Sequence, residues 1–125
     1  MLNFILITGS PDSFKELKSG WLKQSRVQVR ETATVQGALD LMADKAADLV
    51  IVDENVENQP GRMWVEQLIK KNPMINTALV SSLSAEDFHE ATEGLGILMQ
   101  IPPEADGAVA DDVVSRMDKL LSFYR

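Results

Sequence analysis

Short aliphatic runs alternate with segments of helical periodicity, and this alternation constrains the fold more than any other feature of the chain. The runs span residues 4–7, 27–29, 49–52, 78–80 and 97–101. Three of them, at 4–7, 49–52 and 78–80, are nearly continuous in aliphatic residues, as expected for strands covered on both faces, whereas the run at 27–29 alternates with polar residues like an edge strand. Strict strand–helix alternation predicts right-handed crossovers and a doubly wound parallel α/β sheet.

The segments between the strands place apolar residues on one side of a helix, where each stripe can cover the sheet. The predicted stripes are Phe14, Leu17, Trp21 and Leu22; Val35, Ala38, Leu39, Met42 and Ala46; Val65, Leu68 and Ile69; Ala85, Phe88 and Ala91; and Val109, Val113, Met117, Leu120, Leu121 and Tyr124. Ser10, Thr34 and Ser84 suit N-cap positions, and Gly94 is placed to end the fourth helix.

Length and composition exclude several classes of protein. A chain of 125 residues can bury one core, so residues 1–125 are predicted to form a single domain. With 19 acidic against 12 basic residues, the formal charge of −7 opposes a nucleic-acid polyanion, and the absence of cysteine excludes disulfides and thiolate sites. Since no apolar run is long enough to cross a bilayer or form a secretory signal, we expect a cytoplasmic protein without membrane contact.

The opening segment ILITGSPDSF, residues 5–14, has the order of strand, loop and helix start that nucleotide-binding proteins use. A dinucleotide fingerprint requires two further glycines, where this chain has Ser13 and Lys15. A flavodoxin-type loop uses hydroxyl residues, which Ser10 and Ser13 supply, but Asp12 in the first helical turn would repel a phosphate. A capped helix start is favoured, and a flavodoxin-like nucleotide- or flavin-binding protein stays as one alternative.

In a parallel α/β sheet, ligands and chemistry gather at the carboxyl ends of the strands. Thr8 and Gly9 follow the first predicted strand, Asp53 the third and Ser81 the fourth, and Ile101 ends the fifth. These residues are therefore the candidates for a functional site.

The segments LVIVDENVENQPG (49–61), ALVSS (78–82) and GLGILMQIPP (94–103) resemble the receiver domain of bacterial response regulators, and the similarity extends over the whole chain. The resemblance implies a flavodoxin-like (βα)5 fold with a five-stranded parallel sheet in order 2-1-3-4-5. It places Asp53 at the phosphorylated aspartate, Asn55 at the residue whose carbonyl binds the metal, and Ser81 at the hydroxyl residue of the fourth strand. It also implies a role in two-component signalling, with a sensor kinase, an output domain or a second copy as partner, and no enzymatic activity.

This chain departs from the family pattern at the site. Thr8 and Gly9 stand where the family has two acids that bind a divalent ion, Ile101 replaces the lysine that contacts the phosphoryl group, and Glu57 replaces a proline. Each missing charge partner near ~4 Å is worth roughly 4 kcal/mol at an effective dielectric of ~20. We therefore expect a degenerate receiver with no cofactor, magnesium included, and without efficient phosphorylation of Asp53.

Two other interpretations of the acidic residues stay open. Asp12, Glu54 and Glu57 lie on loops at the same end of the sheet and could supply non-standard metal ligands to a working phosphoacceptor, because magnesium needs only one or two carboxylates plus water. Alternatively, Asp53 could have a purely structural role and accept hydrogen bonds from backbone N–H groups and from Ser81.

A partner surface is suggested by the resemblance, since the family uses its fourth helix, fifth strand and fifth helix for dimers and output contacts. Leu98, at the position of the aromatic switch residue, and Met99 are the candidates. Trp64 and Phe88 could extend this surface, although core packing is the favoured role for them, as it is for Trp21. The one histidine, His89, is predicted to be a solvated surface residue.

Overall fold

The computed structural model describes residues 1–123, so the predicted place of Tyr124 in the last apolar stripe lies outside the described residues. The strands are β1 (Leu2–Ile7), β2 (Val27–Thr32), β3 (Leu49–Val52), β4 (Asn55–Val56), β5 (Gln59–Pro60), β6 (Thr77–Val80) and β7 (Met99–Ile101). The helices are α1 (Lys15–Leu22), α2 (Val35–Asp44), α3 (Gly61–Lys71), α4 (Ala85–Thr92) and α5 (Gly107–Ser122), with a 3-10 turn over Pro11–Phe14 before α1.

Five of the strands form one parallel sheet in the order β2-β1-β3-β6-β7. Counting only the strands of this sheet, the order is 2-1-3-4-5, which confirms the predicted fold class. Ile5 pairs with Val50, Val50 with Thr77, and Ala78 with Met99. Strands β4 and β5 form a separate antiparallel hairpin, which was not predicted.

Helices cover both faces of the sheet and divide the core in two. Phe4 and Leu6 of β1 face the cluster that includes Trp21 of α1 and Met117 of α5, whereas their neighbours Ile5 and Ile7 face the cluster under α2, α3 and α4. This division follows from the alternation of side chains along a strand. The near-continuous aliphatic runs are thus buried on both sides, and β2, with its partly exposed residues, is an edge strand as predicted.

Several predicted boundaries need correction. Leu22 is 79% exposed at the end of α1, and Ala46 lies beyond the last residue of α2, so neither extends its apolar stripe. The fifth strand begins at Met99 rather than at residue 97, because the chain before it is still turning through Gly94 and Gly96, which both have positive φ. The placement of Gly94 just after α4 agrees with its predicted role.

The caps show how local sequence sets the helix starts. The hydroxyl of Thr34 accepts a hydrogen bond from the Gly37 N–H at 2.9 Å, and that of Ser84 accepts one from the Asp87 N–H at 3.1 Å. Both caps were predicted. Ser10 occupies the N-cap position of the 3-10 turn, but its side chain makes no capping bond there.

Among residues 1–123, no helix is both long and apolar enough to span a bilayer.

Candidate functional site

The parallel strands bring the predicted site residues to one edge of the sheet. The Asp53 N–H donates to the carbonyl of Ile7, the last residue of β1, at 3.0 Å. The Ser81 N–H donates to the carbonyl of Ile101, the last residue of β7, also at 3.0 Å. The strand ladder therefore fixes the backbones that carry Thr8, Asp53 and Ser81 beside each other.

The half-buried carboxylate of Asp53 has a hydrogen-bond donor on each oxygen. The Thr8 hydroxyl donates to Oδ2 at 2.7 Å, and the Glu54 N–H donates to Oδ1 at 2.7 Å. Thr8 is itself buried, and its Oγ1 accepts from the Ser10 N–H at 2.9 Å, so the hydroxyl is oriented toward the carboxylate. Thr8, which the resemblance places at the first of the two acids, thus donates directly to the Asp53 carboxylate.

Ser81 is buried beside this carboxylate edge but is bonded elsewhere. Its Oγ accepts a hydrogen bond from the Leu83 N–H at 3.1 Å. Among the hydrogen bonds of residues 1–123, none joins Ser81 to the Asp53 carboxylate, so the expected bond between them is not formed. The hydroxyl shapes the loop between β6 and α4 instead.

The other acids at this end of the sheet do not converge on Asp53. Glu54 accepts two hydrogen bonds from Ser82, and Glu57 accepts one from the Val35 N–H at the start of α2, at 3.3 Å. Asp12 lies exposed in the 3-10 turn. In the part of the chain that the structure describes, no three His, Cys, Asp or Glu side chains are grouped as metal ligands.

The hairpin after β3 was missed by sequence reasoning. Its two-residue loop, Glu57 and Asn58, has φ values of 51° and 61°, and a type I′ turn requires positive φ at both positions. Asn58 is the signal that could have indicated this turn, because asparagine tolerates the left-handed conformation, whereas Glu57 does not favour it. The hairpin returns the chain to Gly61, where a β-carbon would lie 2.1 Å from the Asp53 carbonyl oxygen. Only glycine fits this close approach of α3 to the site.

Ile101 and Met99 occupy the core rather than the site or the surface. They are two residues apart in β7, so both side chains face the side of the sheet that α1 and α5 cover. Ile101 is fully buried, and Met99 is 8% exposed, so Met99 presents almost no side-chain surface in the single chain. Leu98 is half-buried and packs against the same cluster. Phe88 and Trp64 pack on the opposite core cluster, and His89 is exposed as predicted.

The Asp53 carboxylate takes part in no ion pair of the described residues. The ion pairs found within residues 1–123 join Lys18 to Glu31, Arg26 to Asp118, and Arg116 to Asp112, and none of them includes Asp53. Gly9, at the position of the second acid, is exposed and contributes no side chain. The donors on the carboxylate are thus a neutral hydroxyl and a backbone N–H.

A surface pocket of about 480 Å³ lies next to this edge, between α3 and α4. Its lining includes Glu54, Asn55, Gly61, Ser82 and Phe88. The exposed β4 residue Asn55 is brought here by the hairpin. The pocket therefore joins the Asp53 edge of the sheet to the surface of α4.

Comparisons with known proteins support the fold. No protein-family model and no curated protein matches the chain. Among solved structures, NtrX from Brucella abortus superposes with a TM-score of 0.80 at 15% identity, over 98% of this chain and 28% of that chain. The receiver domain of NtrX from Brucella abortus gives a TM-score of 0.76 at 15% identity, over 91% of this chain and 96% of that chain.

A CheY-like response regulator receiver domain protein from Methanospirillum hungatei gives a TM-score of 0.75 at 13% identity, over 95% of both chains. This chain thus spans 28% of the NtrX chain but nearly the full length of the isolated receiver domains. Sequence identity is low throughout, whereas 91–98% of this chain is covered by the superpositions. The chain has the five-stranded α/β fold of response-regulator receiver domains.

Proposed function

We propose that this chain is a degenerate receiver domain, a protein-binding regulatory module of two-component signal transduction that works without magnesium-dependent phosphorylation of Asp53. The observation that carries the proposal is the 2.7 Å hydrogen bond from the Thr8 hydroxyl to the Asp53 carboxylate. At the position where the receiver family has an acid, this chain has a neutral hydrogen-bond donor. In this proposal the domain has no catalytic activity of its own.

The electrostatics of phosphoryl transfer support this proposal. A carboxylate that attacks a phosphoryl donor meets several negative charges, which a bound cation and an ammonium group normally offset. Loss of about 4 kcal/mol of such stabilisation slows the reaction on the order of a thousandfold. The Thr8 hydroxyl and the Glu54 N–H are neutral donors, so they stabilise the resting carboxylate without offsetting an incoming phosphate.

The residues present do not fit a magnesium ion. Mg²⁺ prefers an octahedral shell of carboxylate oxygens, carbonyls and water. Here the Thr8 hydroxyl donates a hydrogen bond to Oδ2 of Asp53, and Gly9 offers no ligand side chain. The nearby carboxylates of Glu54 and Glu57 accept hydrogen bonds from Ser82 and Val35. A working phosphoacceptor with relocated ligands would have to break these bonds first.

Protein partners follow from the same proposal. Response regulators and their receiver domains are the proteins whose structures this fold matches, and a sensor kinase, an output domain or a second copy of the chain is the class of partner that we propose. Leu98 is the remaining candidate on the surface near β7. The net charge of −7 favours a protein partner over nucleic acid.

Beryllofluoride with Mg²⁺ tests the proposal, because this phosphoryl mimic binds only where an aspartate and a metal site cooperate. We expect the amide chemical shifts of the native chain to stay unchanged during a titration followed by ¹H–¹⁵N NMR. Asp53→Asn is the matched control, since it removes the carboxylate and keeps the shape of the side chain. Saturable shifts at residues 53, 81 and 82 that disappear in Asp53→Asn would establish the working phosphoacceptor instead.

A further inference from the structure

The loop between β6 and α4 is held from two sides by elements distant in sequence. On one side, Oε2 of Glu54 accepts from both the N–H and the hydroxyl of Ser82, each at 2.8 Å. On the other side, Nε2 of Gln100 in β7 donates to the carbonyls of Ser81 and Leu83, at 3.1 and 2.8 Å. The N–H groups of residues 81–83 and the carbonyls of Ser81 and Leu83 thus all have partners.

Of these hydrogen bonds, the ones that Glu54 accepts are those that include a charged group. A carboxylate that accepts from a backbone N–H and a hydroxyl makes shorter and stronger hydrogen bonds than a neutral acceptor does. Glu54 itself is held in place, because its carbonyl accepts from the Gly61 N–H at 2.8 Å and its N–H donates to Asp53. The anion is therefore presented to Ser82 from a fixed backbone beside the Asp53 site.

The loop continues directly into α4. Ser84, two residues after Ser82, caps α4 by accepting from the Asp87 N–H, and the Phe88 N–H donates to the Ser84 carbonyl at 2.8 Å. Phe88 then anchors α4 in the core under α2, α3 and α4. A constraint on Ser82 thus constrains the start of α4 and the wall of the adjacent pocket.

We propose that Glu54 is a built-in anionic ligand of the β6–α4 loop, which holds the start of α4 in one conformation with no phosphoryl group on Asp53. This inference rests on the proposed function and deepens it, since it states how the α4 surface is kept fixed in a domain that is not switched by phosphorylation. Gln100 completes the arrangement from the side of β7.

Amide hydrogen exchange of the whole chain, measured by NMR without magnesium or any phosphodonor, tests this inference. In Glu54→Ala we expect exchange at the Ser82 amide to be ~10-fold faster, with a smaller acceleration at Asp87, because local opening of the loop becomes easier. Glu57→Ala is the matched control, since it removes another glutamate of the segment between β3 and α3, one that accepts from Val35 instead of Ser82. It should accelerate exchange at Val35 and leave Ser82 unchanged.

Unchanged exchange at Ser82 in Glu54→Ala would overturn the inference. If that variant is globally destabilised, the isosteric Glu54→Gln gives the same comparison with the side-chain shape kept. Equal acceleration of exchange at the Ser82 amide and at the core amide of Ala78 in both variants would likewise overturn the inference. Because no phosphodonor is present, this result is independent of whether Asp53 accepts a phosphoryl group. Failure here and failure of the proposed function are therefore distinguishable.

Discussion

Replacing Trp21 with alanine is expected to lower the free energy of unfolding by about 3–5 kcal/mol. Trp21 is fully buried between α1 and α5, its ring meets that of Phe4 edge-on at a centroid distance of 5.1 Å, and its Nε1 donates to the Ala110 carbonyl at 3.0 Å. The substitution removes all three contributions and leaves a cavity that close-packed neighbours fill only in part. Urea unfolding followed by circular dichroism measures the loss.

Trp64→Ala is the control, because Trp64 is the only other tryptophan of the chain. It is half-buried and also donates a hydrogen bond from Nε1, to the Val56 carbonyl at 2.7 Å. We expect a loss of about 1–2 kcal/mol, since less apolar area leaves water at this position. Equal losses in the two variants would show that the core under α1 and α5 does not carry the stability assigned to it.

Restoring the acid pair should create a magnesium site. In the double variant Thr8→Asp/Gly9→Asp, a carboxylate replaces the hydroxyl that bonds Asp53, and a second one enters at Gly9, where a β-carbon meets no atom within 4 Å. Without metal, two like charges ~4 Å apart cost up to about 4 kcal/mol at an effective dielectric of ~20, so the variant should melt well below the native chain.

Magnesium should offset much of this loss, because the ion binds the folded state and not the unfolded chain. At 100 times its dissociation constant, it adds about 2.7 kcal/mol, which is roughly 10 °C in Tm for a domain of this size. The neutral variant Thr8→Asn/Gly9→Asn controls for shape and should show no Mg²⁺ dependence. If the Tm of the acid variant does not change with Mg²⁺, residues other than these two must also prevent metal binding at this site.

The sheet could be predicted because its signal is local and strong. Continuous aliphatic runs bounded by polar segments at this spacing are compatible with few folds. The runs at 49–52 and 78–80 match β3 and most of β6. Leu22 and Ala46 were misplaced because periodicity does not show where a stripe stops. Leu22 fits the period of α1, but it is the last residue of the helix and its side chain is exposed to solvent.

The position of the candidate site could be predicted from the sequence, but its hydrogen bonds could not. The carboxyl ends of parallel strands lie at one edge of the sheet, so the proximity of Thr8, Asp53 and Ser81 could be predicted from the sequence. Which donor reaches which carboxylate depends on loop conformation, and the loop after β3 contains an unpredicted hairpin in which Glu57 adopts a positive φ. That turn directs Glu57 toward Val35, whereas Glu54, just before the hairpin, bonds Ser82. The burial of Met99 was not predictable, because the helices that cover β7 decide how much of its side chain is exposed.

Incubation with acetyl phosphate and Mg²⁺, followed by intact mass spectrometry, tests the central claim most directly. The claim is that the Asp53 carboxylate, bonded by Thr8 and without a cationic partner among the described residues, does not accept a phosphoryl group at a useful rate. The account predicts one unmodified mass for the native chain and the same result for Asp53→Asn. A phosphoryl adduct on the native chain that Asp53→Asn abolishes would contradict it.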